Sequence, residues 1–106
     1  MTKIKILDCT LRDGGYINDW HFGKDVFCAI VQNLVKAKID FIECGFFKDI
    51  EYEENKTIFS SINQLPDLLV DNNSKYTLMI NFGEYPIENI ETNLNSKILL
   101  RGVTNE

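Results

Sequence analysis

Apolar positions along this chain follow two rhythms in turn. Short runs of strand period, at Ile4, Ile6 and Leu7, at Phe41, Ile42 and Cys44, from Tyr76 to Phe82 and from Lys97 to Val103, are separated by stretches of helical period. The pattern predicts strands near 3–8, 40–46, 76–82 and 97–103. Between the first two, Lys24 to Ala37 sets Phe27, Ile30, Val31, Leu34 and Val35 on one side of a helix, with Gly23 at its N-cap. Ile58, Phe59, Ile62 and Leu65 predict a second helical face, which Pro66 interrupts. Pro66 suits the first position of a further turn over Asp67 to Val70. Ile87, Ile90 and Leu94 mark a short third helix. Cys9 to Phe22 reads as a polar loop, Lys48 to Asn55 as loop or the start of a helix, and Asp71 to Ser74 as a break. Alternation of this kind predicts an α/β fold with a parallel sheet. The nearly all-apolar Tyr76–Phe82 run suits a strand covered on both faces.

Composition narrows the function classes. With 44% hydrophobic and 25% charged residues in 106 positions, the chain can build a core, as one small domain or part of a larger one. A net charge of −5 without a basic stripe counts against nucleic acid as a partner. No apolar run approaches the roughly 20 residues of a membrane span. The N-terminus shows no signal-peptide pattern, so a cytoplasmic protein is expected. Cys9, Cys28 and Cys44 have no CxxC or zinc-ligand spacing and read as small thiols of a reduced compartment.

Four polar residues fall at three strand ends: Arg12 and Asp13 after the first, Glu43 late in the second, and Asn81 near the end of the third. Sites in parallel α/β folds form at the C-terminal strand ends. Asp13 offers a hard oxygen ligand for a divalent cation, and Arg12 a fork of donors for an anion. A lone carboxylate in an apolar strand is costly, so Glu43 should pair with Arg12. Spacing alone leaves a second reading open: Arg12-Asp13-Gly14-Gly15 can be self-paired turn chemistry with Glu43 facing solvent. His21 reads as a loop histidine beside Trp20 and Phe22. Gly14-Gly15 lacks the spacing of phosphate-binding glycine loops.

The run Asp8-Cys9-Thr10-Leu11-Arg12-Asp13-Gly14-Gly15-Tyr16, followed by Phe41-Ile42-Glu43-Cys44-Gly45-Phe46, resembles the start of the HMG-CoA lyase-like (DRE-TIM metallolyase) superfamily, on the 4-hydroxy-2-oxovalerate aldolase side. The likeness spans residues 3 to about 47 and beyond that extends only through the βα rhythm. It implies a TIM barrel that cleaves or forms a C–C bond next to a carbonyl, with a divalent metal (Mn²⁺, Mg²⁺ or Zn²⁺) and a 2-oxo acid or related acyl substrate. Carried over by motif, Asp13 would bind the metal, Arg12 would stabilise the enolate, and Glu43 would pair with Arg12. The chain departs from the pattern at two points. The aldolases place a proton-transferring histidine soon after the Arg-Asp-Gly, where this chain has Gly15 and Tyr16. Tyr16 is the candidate proton donor in its place. A late-strand His-x-His pair, which completes the metal site in the family, is not among these residues, whose single histidine is His21.

A complete (β/α)₈ barrel takes about 250 residues, so the resemblance implies residues 1–106 to be its N-terminal half, with about four βα units and helices outside the strands. Such a half is expected to be inactive alone, without bound metal, and to self-associate or join the rest of its barrel through open strand edges. Ile6, Ile42, Leu78 and Ile80 are candidates for its uncovered inner face. Two alternatives stand beside the aldolase or lyase: a non-catalytic half-barrel for binding or assembly, and a condensing acyltransferase of the same superfamily.

Overall fold

The computed structural model describes residues 4–65, 74–81, 83 and 98–103. Strand β1 (Leu7–Asp8) leads into a short helix α1 (Thr10–Asp13) and a 3-10 turn (Gly14–Tyr16). Helix α2 (Lys24–Lys36) follows, then strands β2 (Phe41–Phe47), β3 (Ile58–Phe59), β4 (Lys75–Asn81) and β5 (Ile98–Val103). All pairings are parallel, in the order β1-β2-β4-β5, with β3 also against β2. The α/β class and the parallel sheet agree with the sequence pattern. The helical stretches expected at Asp67–Val70 and around Ile87–Leu94 lie outside the described residues.

Helix α2 forms where the 3.6-residue period predicts it. Gly23 starts it at φ 78°, and Asp25 in its first turn and Lys36 in its last both suit the helix dipole. Phe27 and Val31 are buried against Ile42, Cys44, Tyr76 and Leu78 of the sheet, with Ile30, Leu34 and Val35 packed alongside. This is the main core.

The sheet's two faces are set by β2. Ile42 and Cys44 face the helix, and Glu43 faces away; the alternation then breaks. Glu43 pairs with Thr77 and Phe46 with Met79, so β2 holds one residue more than β4 over this span. The bulge falls at Gly45, whose φ is 149° and where a Cβ would lie 1.9 Å from the Thr57 carbonyl oxygen. After it, Phe46 lies on Glu43's face in a second cluster with Ile58, Met79 and Trp20, while Phe47 returns to the helix side.

Three expectations are corrected. Ile58 and Phe59 are strand rather than helix, and a 3-10 turn follows at Ile62–Gln64. Because β1 is so short, the far part of the same β2 edge is open, and Phe46 N–H and Lys48 N–H donate to the carbonyls of Thr57 and Phe59 at 3.1 and 2.9 Å. Tertiary pairing there overrides a local helical period. Next, Cys9 to Phe22 is not plain loop. The Asp8 carboxylate accepts from Thr10 N–H at 2.9 Å and from its hydroxyl at 3.1 Å, and that starts α1. Finally, Ile42, Leu78 and Ile80 belong to the helix-side core, and Ile6 is 54% exposed. The opposite face is built of Glu43, Phe46, Thr77 and Met79.

Candidate active site

The site grows from the turn after β1. Helix α1 is held by Cys9 O, which accepts from Arg12 and Asp13 N–H at 3.1 and 2.7 Å, and by the Thr57 hydroxyl, which donates to Leu11 O at 2.9 Å. Leu11 is fully buried in the main core, which aims the next residue, Arg12, across the far face of the sheet. There Arg12 Nε donates to Glu43 Oε1 at 2.8 Å. Thr77 Oγ1 donates to Glu43 Oε2 at 3.2 Å. Glu43 has no exposed surface, while the Arg12 side chain keeps 16%. The pair therefore joins a buried anion to a cation that reaches the surface, and Glu43 and Thr77 fix the plane of the guanidinium. The solvent-facing turn reading of Glu43 is excluded by its burial.

Asp13 is the outer member. Its Oδ1 lies 3.5 Å from Arg12 Nη1, and its side chain is 64% exposed. Arg12 Nη2 meets no protein acceptor among the described residues. Asn81 ends β4 on the Glu43 face by alternation, partly buried. His21 is exposed, 3.9 Å from the Asp19 carboxylate, a loop histidine as expected.

Trp20 was not legible as a site residue, and it ties the loop together. Its indole N–H donates to Arg12 O at 2.7 Å. Its ring meets Phe46 edge-on at 5.5 Å and Tyr16 at 4.9 Å. Its backbone bonds Gly15 O and Thr57 N–H, at 2.9 and 3.0 Å. A Cβ on buried Gly15 would fall 2.0 Å from the indole, so only glycine admits the ring. Trp20 sits at φ 61° and Asp19 at φ 54°, a left-handed pair that a bulky aromatic residue rarely adopts. The available signal was the Asn18-Asp19 turn beside a single tryptophan, which does not say where the ring lands. Tyr16 is 66% exposed and packs its ring on Trp20.

Cys44 lies beside this site but on the helix side, fully buried. Burial, and secondarily the Glu43 charge, push its thiol far above the usual range. A thiol held in that form is a packing group, not a nucleophile. At the loop's outer rim Lys56 binds Glu53 and Asp19 at 3.1 and 3.2 Å, which raises its pKa, Glu53 first and Asp19 second.

Compared with protein-family models, curated proteins and solved structures, the chain matches none. The site rests on its own geometry. Among the described residues no three His, Cys, Asp or Glu side chains gather as a metal site. Glu43 is engaged by Arg12 and Thr77, which leaves the Asp13 carboxylate as a single donor against the six or so oxygens that a hard cation takes. The described residues do not by themselves fit a metal. They fit an anion, held by a preorganised guanidinium. No described helix is long and apolar enough to cross a membrane.

Proposed function

We propose that this chain supplies the anion-holding part of an aldolase or lyase that cleaves or forms a C–C bond next to a carbonyl, on a 2-oxo acid type of substrate. The observation that carries the reading is the Arg12–Glu43 pair: a buried carboxylate holds a guanidinium at 2.8 Å beside the C-terminal end of β1. As the bond breaks, negative charge develops on the carbonyl oxygen, and the Nη groups of Arg12 are the donors that would meet it. Their orientation is set in advance by Glu43, by Thr77 and by the Trp20 bond to the Arg12 carbonyl, so little reorganisation accompanies the charge. Tyr16 remains the candidate proton donor, brought near by its contact with Trp20. A divalent metal belongs to the same proposal, with Asp13 as the one ligand that the described residues would supply.

The finer fold reading is the N-terminal half of a (β/α)₈ barrel. It is supported by the strand order, in which β1, β2, β4 and β5 follow one another across the sheet in chain order without the reversal of a doubly wound fold. On this reading the Glu43 face is the barrel interior, and the edges of β1 and β5 take either the rest of the barrel or a second copy. The test is turnover of 4-hydroxy-2-oxo acids by the parent protein with added divalent metal. Asp13→Asn and Arg12→Lys should each lower kcat/KM by more than tenfold. A smaller loss in both would leave the binding or assembly module as the better account.

A further inference from the structure

A cavity of about 520 Å³ opens on the helix side of the sheet, across from the face that holds Arg12 and Glu43. Its floor is Phe27, Phe59 and Leu65, buried residues of the main core, and Tyr52 forms one wall. Phe59 meets Phe27 edge-on at 6.3 Å and lies nearly parallel to Tyr52 at 6.1 Å. Small-molecule pockets span about 300–1,000 Å³ and combine such an aromatic lining with a few polar groups. Two charged residues along this cavity are uncommitted. Lys24 and Glu54 are exposed and make no ion pair among the described residues. The Lys56 ammonium, in contrast, is held by Glu53 and Asp19 at 3.1 and 3.2 Å, and the Gln64 side-chain oxygen accepts from Ser60 N–H at 2.8 Å. Lys24 precedes Phe27 by one turn of α2, so the two share a face of the helix. Burial, and then the Glu54 charge, raise the Tyr52 pKa, which sets that carboxylate on the Tyr52 side.

From this arrangement we propose that the cavity is a second ligand site, which takes a free α-amino acid with an aromatic side chain. The ring packs on Phe27, Phe59 and Tyr52, the α-carboxylate meets Lys24, and the α-ammonium meets Glu54. Opposite charges beside one apolar floor match a zwitterion with an apolar side chain. An anion or a cation alone would gain one attraction and meet one repelling group. The proposal does not depend on the reading of Arg12. Its occupancy reaches the Trp20 loop, because three residues that line the cavity also hold that loop. Asn55 O accepts from Gly23 N–H at 3.0 Å, Lys56 binds Asp19, and Thr57 N–H donates to Trp20 O at 3.0 Å. A ligand that shifts these residues therefore moves the Trp20 ring.

The test is calorimetric titration of the 106-residue chain with L-phenylalanine, with glycine, and with N-acetylphenylalanine and phenylalaninamide, which lack the ammonium and the carboxylate in turn. Phenylalanine should bind at least tenfold tighter than glycine and at least threefold tighter than either blocked form; the blocked forms also separate a free amino acid from a peptide terminus. Exposed ion pairs are weak, so each charge contributes only severalfold. Glu54→Gln should weaken phenylalanine at least threefold and leave N-acetylphenylalanine unchanged. Lys24→Met should weaken it at least threefold and leave phenylalaninamide unchanged. Both residues are exposed and unpaired, and far-UV circular dichroism checks that each variant is folded. Emission of Trp20, the single tryptophan, should change with the same saturation. Absence of binding at millimolar phenylalanine, glycine binding as tightly, or a loss below threefold in either variant would overturn the proposal. Arg12→Lys should leave phenylalanine binding unchanged; a loss there equal to that in the cavity variants would move the ligand to the strand-end site and overturn the proposal while leaving the reading of Arg12 intact. Binding without any change in Trp20 emission would overturn the link to the loop.

Discussion

Replacing Arg12 with leucine would test the site most severely, because it leaves the Glu43 carboxylate fully buried with its cation removed. Thr77 Oγ1 at 3.2 Å would still donate, but a hydroxyl does not neutralise a charge. Loss of one partner from a buried pair costs about 3–5 kcal/mol, against a total stability of about 5–15 kcal/mol for a domain. With a urea slope of about 1–3 kcal/mol per molar, the unfolding midpoint should fall by at least about 1 M. Arg12→Leu combined with Glu43→Met should recover part of that fall, since the double variant buries no charge. A deficit of about 1–3 kcal/mol should persist, because the buried Thr77 hydroxyl loses its acceptor. Asp13→Asn serves as the control. Its carboxylate is 64% exposed and 3.5 Å from Arg12, an exposed contact worth under about 1 kcal/mol. Urea titrations followed by circular dichroism and by Trp20 emission give all four values. A single variant within about 1 kcal/mol of the parent, or a double variant no better than the single, would refute the view that a buried charge pair organises this site.

Other outcomes follow from the same structure. Gly15→Ala should displace the Trp20 indole, shifting its emission towards that of exposed tryptophan while α2 keeps its circular dichroism signal; unchanged emission would contradict the packing of the ring on Gly15. Cys44 should resist a thiol reagent until the chain unfolds, whereas partly exposed Cys9 and Cys28 should react in the folded state. The same thiol gives a pH dependence. Its folded pKa is raised, so above the ordinary value of 9.0 the unfolded chain loses a proton that the folded chain keeps, and stability falls as pH rises. Raised pKa values at Tyr52, by burial and then Glu54, and at Lys56, by Glu53 and Asp19, act in the same direction at higher pH. Cys44→Ala should flatten the first part of that decline, and a profile identical to the parent's would count against it. Finally, the edges of β1 and β5, which no described strand covers, should make the chain self-associate, and sedimentation of a purely monomeric, cooperatively folding species at tens of micromolar would oppose the half-barrel reading.

How much of this was legible beforehand depended on whether local order or long-range pairing decides each element. Helix α2 was readable because its buried residues follow one local period, and the parallel sheet because strand and helix rhythms alternate along the chain. Arg12 and Glu43 could be paired from sequence since burying Glu43 alone is prohibitive, and neighbouring parallel strands bring their C-terminal ends together. The faces of the sheet were not readable. Phe41 to Phe47 is almost wholly apolar, so alternation carries no phase. Which of Phe46 and Phe47 faces α2 is fixed by the bulge at Gly45, where the Thr57 carbonyl leaves no room for a Cβ. Ile58 and Phe59 have a helical period and still form strand, because the β2 edge beyond short β1 needs partners for its backbone. Trp20 is unremarkable in the sequence. It joins the site because a turn with two left-handed residues carries its ring onto Phe46 of β2, a meeting between segments far apart in the chain that local patterns do not encode.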